Sequence, residues 1–283
     1  MGYRNIRDLE KGPCAAIRAL LESYWDQCKG YADEMFREEF AVQPDPRFWE
    51  LYLFHRLLSA GKALVERARR PNDGPDLLVD DGDQRVWIEA VTFGPGDDTN
   101  PDRVPDLKYD GTAQYVPLRE IELRISSVFM KKSNTFIRYL ENERVSRSDL
   151  CLIAINPGQL SPQTSFEDRG SPFCVLYPLG DQYVTFRKNS PETTSGYYFR
   201  TELEKSSRTK VPTGMFADGQ HDHIAGVIWS NTTLGNFFYG ENDLTLFPNS
   251  TPIRPLTQGW LDWAIEWGAS VHEDNQCTLT RLT

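Results

Sequence analysis

Two short apolar runs, each carrying one carboxylate, constrain this chain more than any other feature: Gly74-Pro75-Asp76-Leu77-Leu78-Val79 and Val86-Trp87-Ile88-Glu89-Ala90-Val91. The turn signal Asp81-Gly82-Asp83 between them predicts a β-hairpin with strands at roughly 76–80 and 85–92. Alternation along the second strand puts Trp87, Glu89 and Val91 on one face, and Val86, Ile88 and Ala90 on the other. A carboxylate in an apolar strand is costly unless it is paired or binds a cation. A tight hairpin brings Asp76 and Glu89 together, and two carboxylates held close repel unless a cation lies between them.

The surrounding pattern predicts an α/β core. A helix is expected over 13–28, with Pro13 in its first turn. After Pro44-Asp45-Pro46, with Asp45 as a candidate N-cap, a second helix from Phe48 to about Ser59 is apolar nearly all round, as in a buried helix. Ala63 to Ala68 reads as a first strand ahead of the hairpin. A Gly/Pro/Asp-rich loop follows the hairpin, then a long helix from Pro117 to about Leu140 and an interior strand at Cys151–Ile155. Helices and strands in this order predict a mixed central sheet with helices on its faces.

Further on, Phe173 to Arg187 reads as a hairpin turning at Gly180-Asp181. The polar stretch from Lys188 to Thr213 reads as a surface excursion, and Ile224–Ser230 and Leu244–Phe247 as strands. Trp260, Trp263 and Trp267 fall at helical spacing and are read as core packing rather than a base-stacking platform. The expected organisation is an N-terminal helical segment (1–45), a core (46–160), and a C-terminal α+β extension (161–283) packed on the same domain.

Two further charges sit where apolar residues are expected. Glu50 shares a helix face with Leu53, Phe54 and Leu57 and needs a partner, either a cation site or an arginine such as Arg56 or Arg124. On the long helix, Lys132 falls in the stripe Ile121, Ile125, Val128, Phe136 and Tyr139, whereas Lys131 lies on the flank with Arg124 and Thr135. Lys132 either meets acids in the interior or snorkels to solvent.

Glu50 on a helix, Pro75-Asp76, and then Glu89-Ala90-Val91 after twelve intervening residues together resemble the PD-(D/E)XK nuclease superfamily, the restriction-endonuclease-like fold. The resemblance covers roughly residues 46 to 156. It implies a Mg2+-dependent (or Mn2+-dependent) endonuclease in which Glu50, Asp76, Glu89 and the Ala90 carbonyl hold the metal. It also implies a lysine that assists the attacking water. The usual motif lysine position is Val91 here. Some members supply that lysine from a neighbouring helix, which makes Lys132 the candidate and Lys131 the second choice. Asp76, Glu89 and Lys132 are then the catalytic set. Arg124 and Lys131, with Arg119 as a further candidate, would contact the phosphate backbone of a nucleic-acid substrate, DNA first. The competing readings are a nuclease-like fold kept for nucleic-acid binding or scaffolding, and a toxin or defence component acting with a protein partner.

Charge bears on those readings. A formal net charge of −10 opposes avid, sequence-independent nucleic-acid binding. The basic residues are unevenly spread, however: residues 119 to 147 carry seven Lys or Arg against four Glu. No apolar run approaches the length of a membrane span and no signal-peptide core is seen, so a cytoplasmic, non-membrane protein is expected. A homodimer or a protein partner is compatible with the sequence. Cys14, Cys28, Cys151, Cys174 and Cys277 lack metal-ligand or disulfide spacing. Asp80, Asp81, Asp83, Asp97 and Asp98 read as turn and loop acids. His221-Asp222-His223 reads as a strand with both imidazoles on one face but no third ligand. There is no glycine-rich phosphate loop, and no base stands beside a Ser or Cys nucleophile.

Overall fold

The computed structural model describes residues 3–8, 12–108, 110–160, 171–188, 193–237, 243–272 and 276–282. Helices α1 (Tyr3–Asp8), α2 (Pro13–Cys28), α3 (Phe36–Val42) and α4 (Pro44–Ser59) come first. Pro13 and Pro44 occupy first-turn positions, where the missing N–H has no intrahelical acceptor to lose. Asp45 lies inside the first turn of α4, and Gln43 takes the N-cap position. Strands β1 (Leu77–Asp80) and β2 (Arg85–Thr92) form the expected hairpin, with Leu77 opposite Ile88 and Asp80 opposite Arg85. The long helix α5 (Leu118–Glu141) and the fully buried strand β3 (Leu150–Asn156) complete the first half.

The remainder comprises α6 (Ser171–Leu176), β4 (Leu179–Phe186), β5 (Thr193–Phe199), β6 (Glu202–Glu204), β7 (Lys210–Pro212), β8 (Gly226–Trp229), β9 (Thr245–Pro248), β10 (Ile265–Val271) and β11 (Gln276–Arg281). Nine strands make one mixed sheet in the order β1-β2-β3-β8-β9-β10-β11-β5-β4, and β6 and β7 pair separately. The neighbours β2–β3, β3–β8 and β9–β10 run parallel. The protein is therefore α/β, with a large mixed sheet flanked by helices. Strands from before and after residue 160 stand side by side in that sheet.

Period-two alternation divides the sheet between two apolar clusters. Leu77, Val79, Val86, Ile88 and Ala90 pack against α2, α3 and α4. Leu78, Trp87, Cys151, Ile153 and Ile155 pack against α5 and α6. Because β2 and β3 are covered on both faces, their sequences read as near-continuous apolar runs. A Cβ added at Gly226 would lie 2.8 Å from the Phe247 carbonyl oxygen, so the close approach of β8 to β9 requires glycine there.

Several elements differ from the sequence expectation. The segment 63–68 makes a single bridge, Leu64 to Val79, before a 3-10 turn at Arg67–Arg69. The residues expected to form a hairpin over 173–187 are α6 followed by β4, and the partner of β4 is β5, within the stretch expected to be a polar excursion. Trp260–Ala264 is a turn and Trp267 lies in β10, so the three tryptophans do not share a helix. Trp260 and Trp263 nevertheless pack on the α2–α4 cluster, and Trp267 on the other. His221-Asp222-His223 is a turn, not a strand. Among the described residues no helix is long and apolar enough to cross a membrane.

Candidate functional site

The site is built where α4 and α5 approach the open end of the hairpin from opposite faces of the sheet. Asp76 immediately precedes β1, and its Oδ2 accepts the backbone N–H of Ala90 at 2.7 Å. A strand residue points its N–H and C=O to the same edge, so the Ala90 carbonyl faces the same edge of β2 as Asp76. Glu89, one residue earlier, turns to the α5 face with Trp87, as alternation requires. Lys132 reaches down from α5 and donates from Nζ to Glu89 Oε1 at 2.7 Å. The side chain of Glu89 is 7% exposed and that of Lys132 19%, so this is an interior ion pair. Tyr139, seven residues and two turns further along α5, donates its hydroxyl to Glu89 Oε2 at 3.5 Å.

Glu50 arrives from the opposite face. The adjacent Trp49 is fully buried and donates from Nε1 to the Ala154 carbonyl at 3.0 Å, which fixes α4 on β3. Glu50 Oε2 accepts from Arg47 Nη1 at 2.7 Å. Arg47 also pairs with Asp33 at 3.1 Å and with Glu39. The arginine partner is therefore Arg47, one turn back on the same helix, rather than Arg56 or Arg124. Arg56 pairs with Asp243, and Arg124 donates from Nε to the Gly94 carbonyl at 3.1 Å. Behind Asp76, the buried Arg70 holds the backbone carbonyls of Pro75, Asp76 and Tyr31.

These groups are electrostatically linked. Burial pushes the Glu50 carboxyl up to about 8, with a further push from the Asp76 charge and partial relief from Arg47. Burial also raises Asp76, opposed by Lys132, by the Ala90 amide and by Arg47 and Arg70. Glu89 rises to about 7 through burial and then the Asp76 charge, against the pull of Lys132 and Tyr139. Burial is thus the first cause at each of the three acids, and each is answered by a cationic neighbour: Arg47 at Glu50, and Lys132 at Asp76 and Glu89.

Carboxylate oxygens are hard donors of the kind that suit a Mg2+ or Mn2+ ion once they are ionised. Glu50 is turned towards Arg47 and Glu89 towards Lys132. Among the described residues no three His, Cys, Asp or Glu side chains converge as a ready-made ion cage. Asp76 lies at the cleft beside Glu50, with one oxygen held by the Ala90 amide.

A cleft of about 690 Å³ runs between the segment 30–35 and the segment 67–76 and reaches both Glu50 and Asp76. Its walls carry Asp33, Glu34, Glu39, Glu50 and Asp76 against Arg67 and Arg70. Both arginines are engaged with backbone carbonyls. Glu89 and Lys132 do not line this cleft and lie on the α5 side of Asp76.

Lys131 is exposed on α5, and its neighbour Lys132 makes the acid contact. Arg124 is half-buried, with its guanidinium 5.8 Å from the Phe93 ring centre, at the end of β2. Arg119 is committed to Asp102 and Glu120. Asp97 caps Thr99, Asp98 pairs with Arg103 and Asp80 takes the Gly82 amide, as loop acids do, whereas Asp81 ties together Lys62, the Ala63 amide and the Trp260 indole. His221 Nδ1 and His223 Nε2 both meet the Ser133 hydroxyl, at 2.9 and 3.0 Å. Sequence reasoning missed Arg47, Arg70 and Tyr139. For Arg47 and Tyr139 the signal was present as i−3 spacing from Glu50 and i+7 spacing from Lys132. Nothing local marks Arg70.

No protein-family model, curated protein or solved structure matches the chain.

Proposed function

We propose that the protein is a metal-dependent nuclease of the PD-(D/E)XK type, hydrolysing phosphodiester bonds in DNA, with a restriction-endonuclease-like core around β1, β2, β3, α4 and α5. The observation that carries this reading is the Lys132–Glu89 pair at 2.7 Å beside an Asp76 clamped to the Ala90 amide. It supports a lysine supplied from a helix where the strand position is Val91.

In this reading Glu50, Asp76, Glu89 and the Ala90 carbonyl hold Mg2+ or Mn2+. When bound, the ion supplies charge neutralisation at the phosphate and acidifies a water. Asp76 is oriented by the Ala90 amide, so one oxygen is fixed and the other is left to face the cleft. Lys132, held by Glu89, places a positive charge where the attacking water and the developing phosphate charge need it. Tyr139 steadies the second oxygen of Glu89. Arg124 and Lys131 serve as phosphate contacts along α5.

One observation favours a second reading, a nuclease-like fold that binds without cutting. Acids outnumber arginines on the cleft walls, which opposes a polyanion. Oligonucleotide cleavage assays with Mg2+ or Mn2+ separate the two. The first reading expects cleavage that Asp76→Asn and Glu89→Gln abolish. A folded protein inert on single- and double-stranded DNA and RNA in both metals overturns it. Retention of DNA by that inert protein then supports the second reading.

A further inference from the structure

Arg47 draws three acids from three parts of the chain onto one guanidinium. Its Nη1 donates to Asp33 Oδ2 at 3.1 Å and to Glu50 Oε2 at 2.7 Å, and its Nη2 donates to Glu39. Asp33 lies in the loop before α3, Glu39 in α3 and Glu50 in α4. The guanidinium is 5.4 Å from the centre of the Phe36 ring, which seats it on α3.

The three acids are not equivalent. Asp33 is half-buried and Glu39 exposed, so water serves both and neither needs the arginine in order to stay ionised. The Glu50 side chain is 15% exposed, and Arg47 is its ion-pair partner. Neutralising Glu50 takes one cation and no further acids. Asp33 and Glu39 instead pull the guanidinium away from Glu50, towards the 30–39 wall of the cleft. Asp33 Oδ1 is buried and has no hydrogen-bond partner among the described residues. An acceptor therefore stands ready for the N–H that Glu50 would give up.

We propose that Arg47 is a positioning residue for the candidate metal site, holding Glu50 until a divalent cation binds at Asp76 and then retreating to Asp33 and Glu39 as Glu50 turns to that cation. This rests on the metal-dependent reading proposed above. Without the retreat a fixed positive charge would stay beside the ion, and like charges at close range cost affinity. Asp33 and Glu39 thus set metal affinity through Arg47, without touching the ion.

The test is calorimetric titration of the whole chain with Mn2+ alone. Combined Asp33→Asn and Glu39→Gln is expected to weaken Mn2+ binding several-fold, with unchanged circular dichroism. Removing two acids also lowers the negative potential at the site directly, so the same pair is repeated in Arg47→Gln. There the loss should be smaller by about threefold or more, as for residues that act through a shared partner. If Arg47→Gln unfolds, Arg47→Lys takes its place. Its ammonium keeps a charge for Glu50 but cannot span three acids, so the two neutralisations should again have little effect. Equal losses with and without Arg47 overturn the proposal and leave the metal reading standing. So do acid variants that bind Mn2+ like the wild type. A wild-type protein that takes up no Mn2+ overturns the metal reading, and the role of Arg47 with it.

Discussion

Lys132 Nζ lies 2.7 Å from Glu89 Oε1, joining the middle of α5 to the middle of β2 across 43 residues of sequence. Each charge is the reason the other is tolerated in the interior. With Tyr139 on its second oxygen, Glu89 is held from one helix face at both ends of its carboxylate.

Removing the lysine alone leaves a carboxyl at 7% exposure without its cation. Lys132→Met is expected to cost about 3 kcal/mol in a denaturant titration. Lys132→Met with Glu89→Gln is expected to recover much of that, because no charge is then buried unpaired. On the proposed function, Lys132→Met also abolishes cleavage while metal binding survives. A Lys132→Met protein that folds and still cleaves removes the lysine from the mechanism.

The raised carboxyls predict how stability depends on pH. Glu50 and Glu89 titrate near 8 and 7 in the folded protein, above the ordinary glutamate range that holds when the chain is unfolded. Between those ranges the folded state binds more protons, so stability falls as pH rises from the ordinary carboxylate range to about 8. The loss should shrink in Glu89→Gln. Metal binding needs the ionised forms. Mn2+ should therefore raise the melting temperature more at about pH 8 than at about pH 6. Equal stabilisation at both would mean that the ion binds elsewhere.

The hairpin, α4, α5 and β3 could be read from the sequence because their burial follows local periods of two or 3.6 residues. The acids and Lys132 could be read for a different reason: a charge on an apolar face must find company, and the hairpin leaves few places for it. The order of the sheet beyond β3 could not be read in this way. That β8 lies beside β3 and β5 beside β11 depends on pairings far apart in the chain, which leave no local period. Trp260, Trp263 and Trp267 show the converse failure. Their helical spacing is coincidental, since a turn holds the first two and β10 the third. Glu50 pairs with Arg47, its i−3 neighbour on α4, a contact set by helical spacing alone.

Ser133 follows Lys132 on α5 and is fully buried, with its hydroxyl shared by His221 and His223. His223 Nε2 also lies 3.2 Å from the Ser133 carbonyl. This is a strut between α5 and the turn before β8. Ser133→Ala leaves two imidazoles short of a partner and is expected to destabilise the fold by about 1–3 kcal/mol in thermal or denaturant melts. Burial holds both imidazoles below the ordinary histidine range. Their contribution is therefore present above that range and lost as pH falls through it, as the unfolded chain takes up protons first. The melting-temperature deficit of a His221→Gln, His223→Gln protein should therefore be larger at about pH 7 than at about pH 5, and a deficit independent of pH would contradict this.

Arg70 offers the most direct test of how the acids are aimed. It is 7% exposed and reaches from behind the site to the carbonyls of Pro75 and Asp76 with one nitrogen and of Tyr31 with the other. Burial lowers its guanidinium to about 10, and its charge in turn holds the Asp76 carboxyl down. Arg70→Met removes both effects: the Pro75-Asp76 backbone loses its anchor, and Asp76 binds its proton more tightly. Both act in the same direction on a cation, so the expected result is weaker Mn2+ binding by calorimetry. The deficit should narrow as pH rises and Asp76 ionises, leaving the part due to position. Arg70→Lys keeps the charge but cannot span both segments, so it should restore the pH behaviour without restoring full affinity. Unchanged Mn2+ affinity in a folded Arg70→Met protein would mean that Asp76 is not a ligand of the ion.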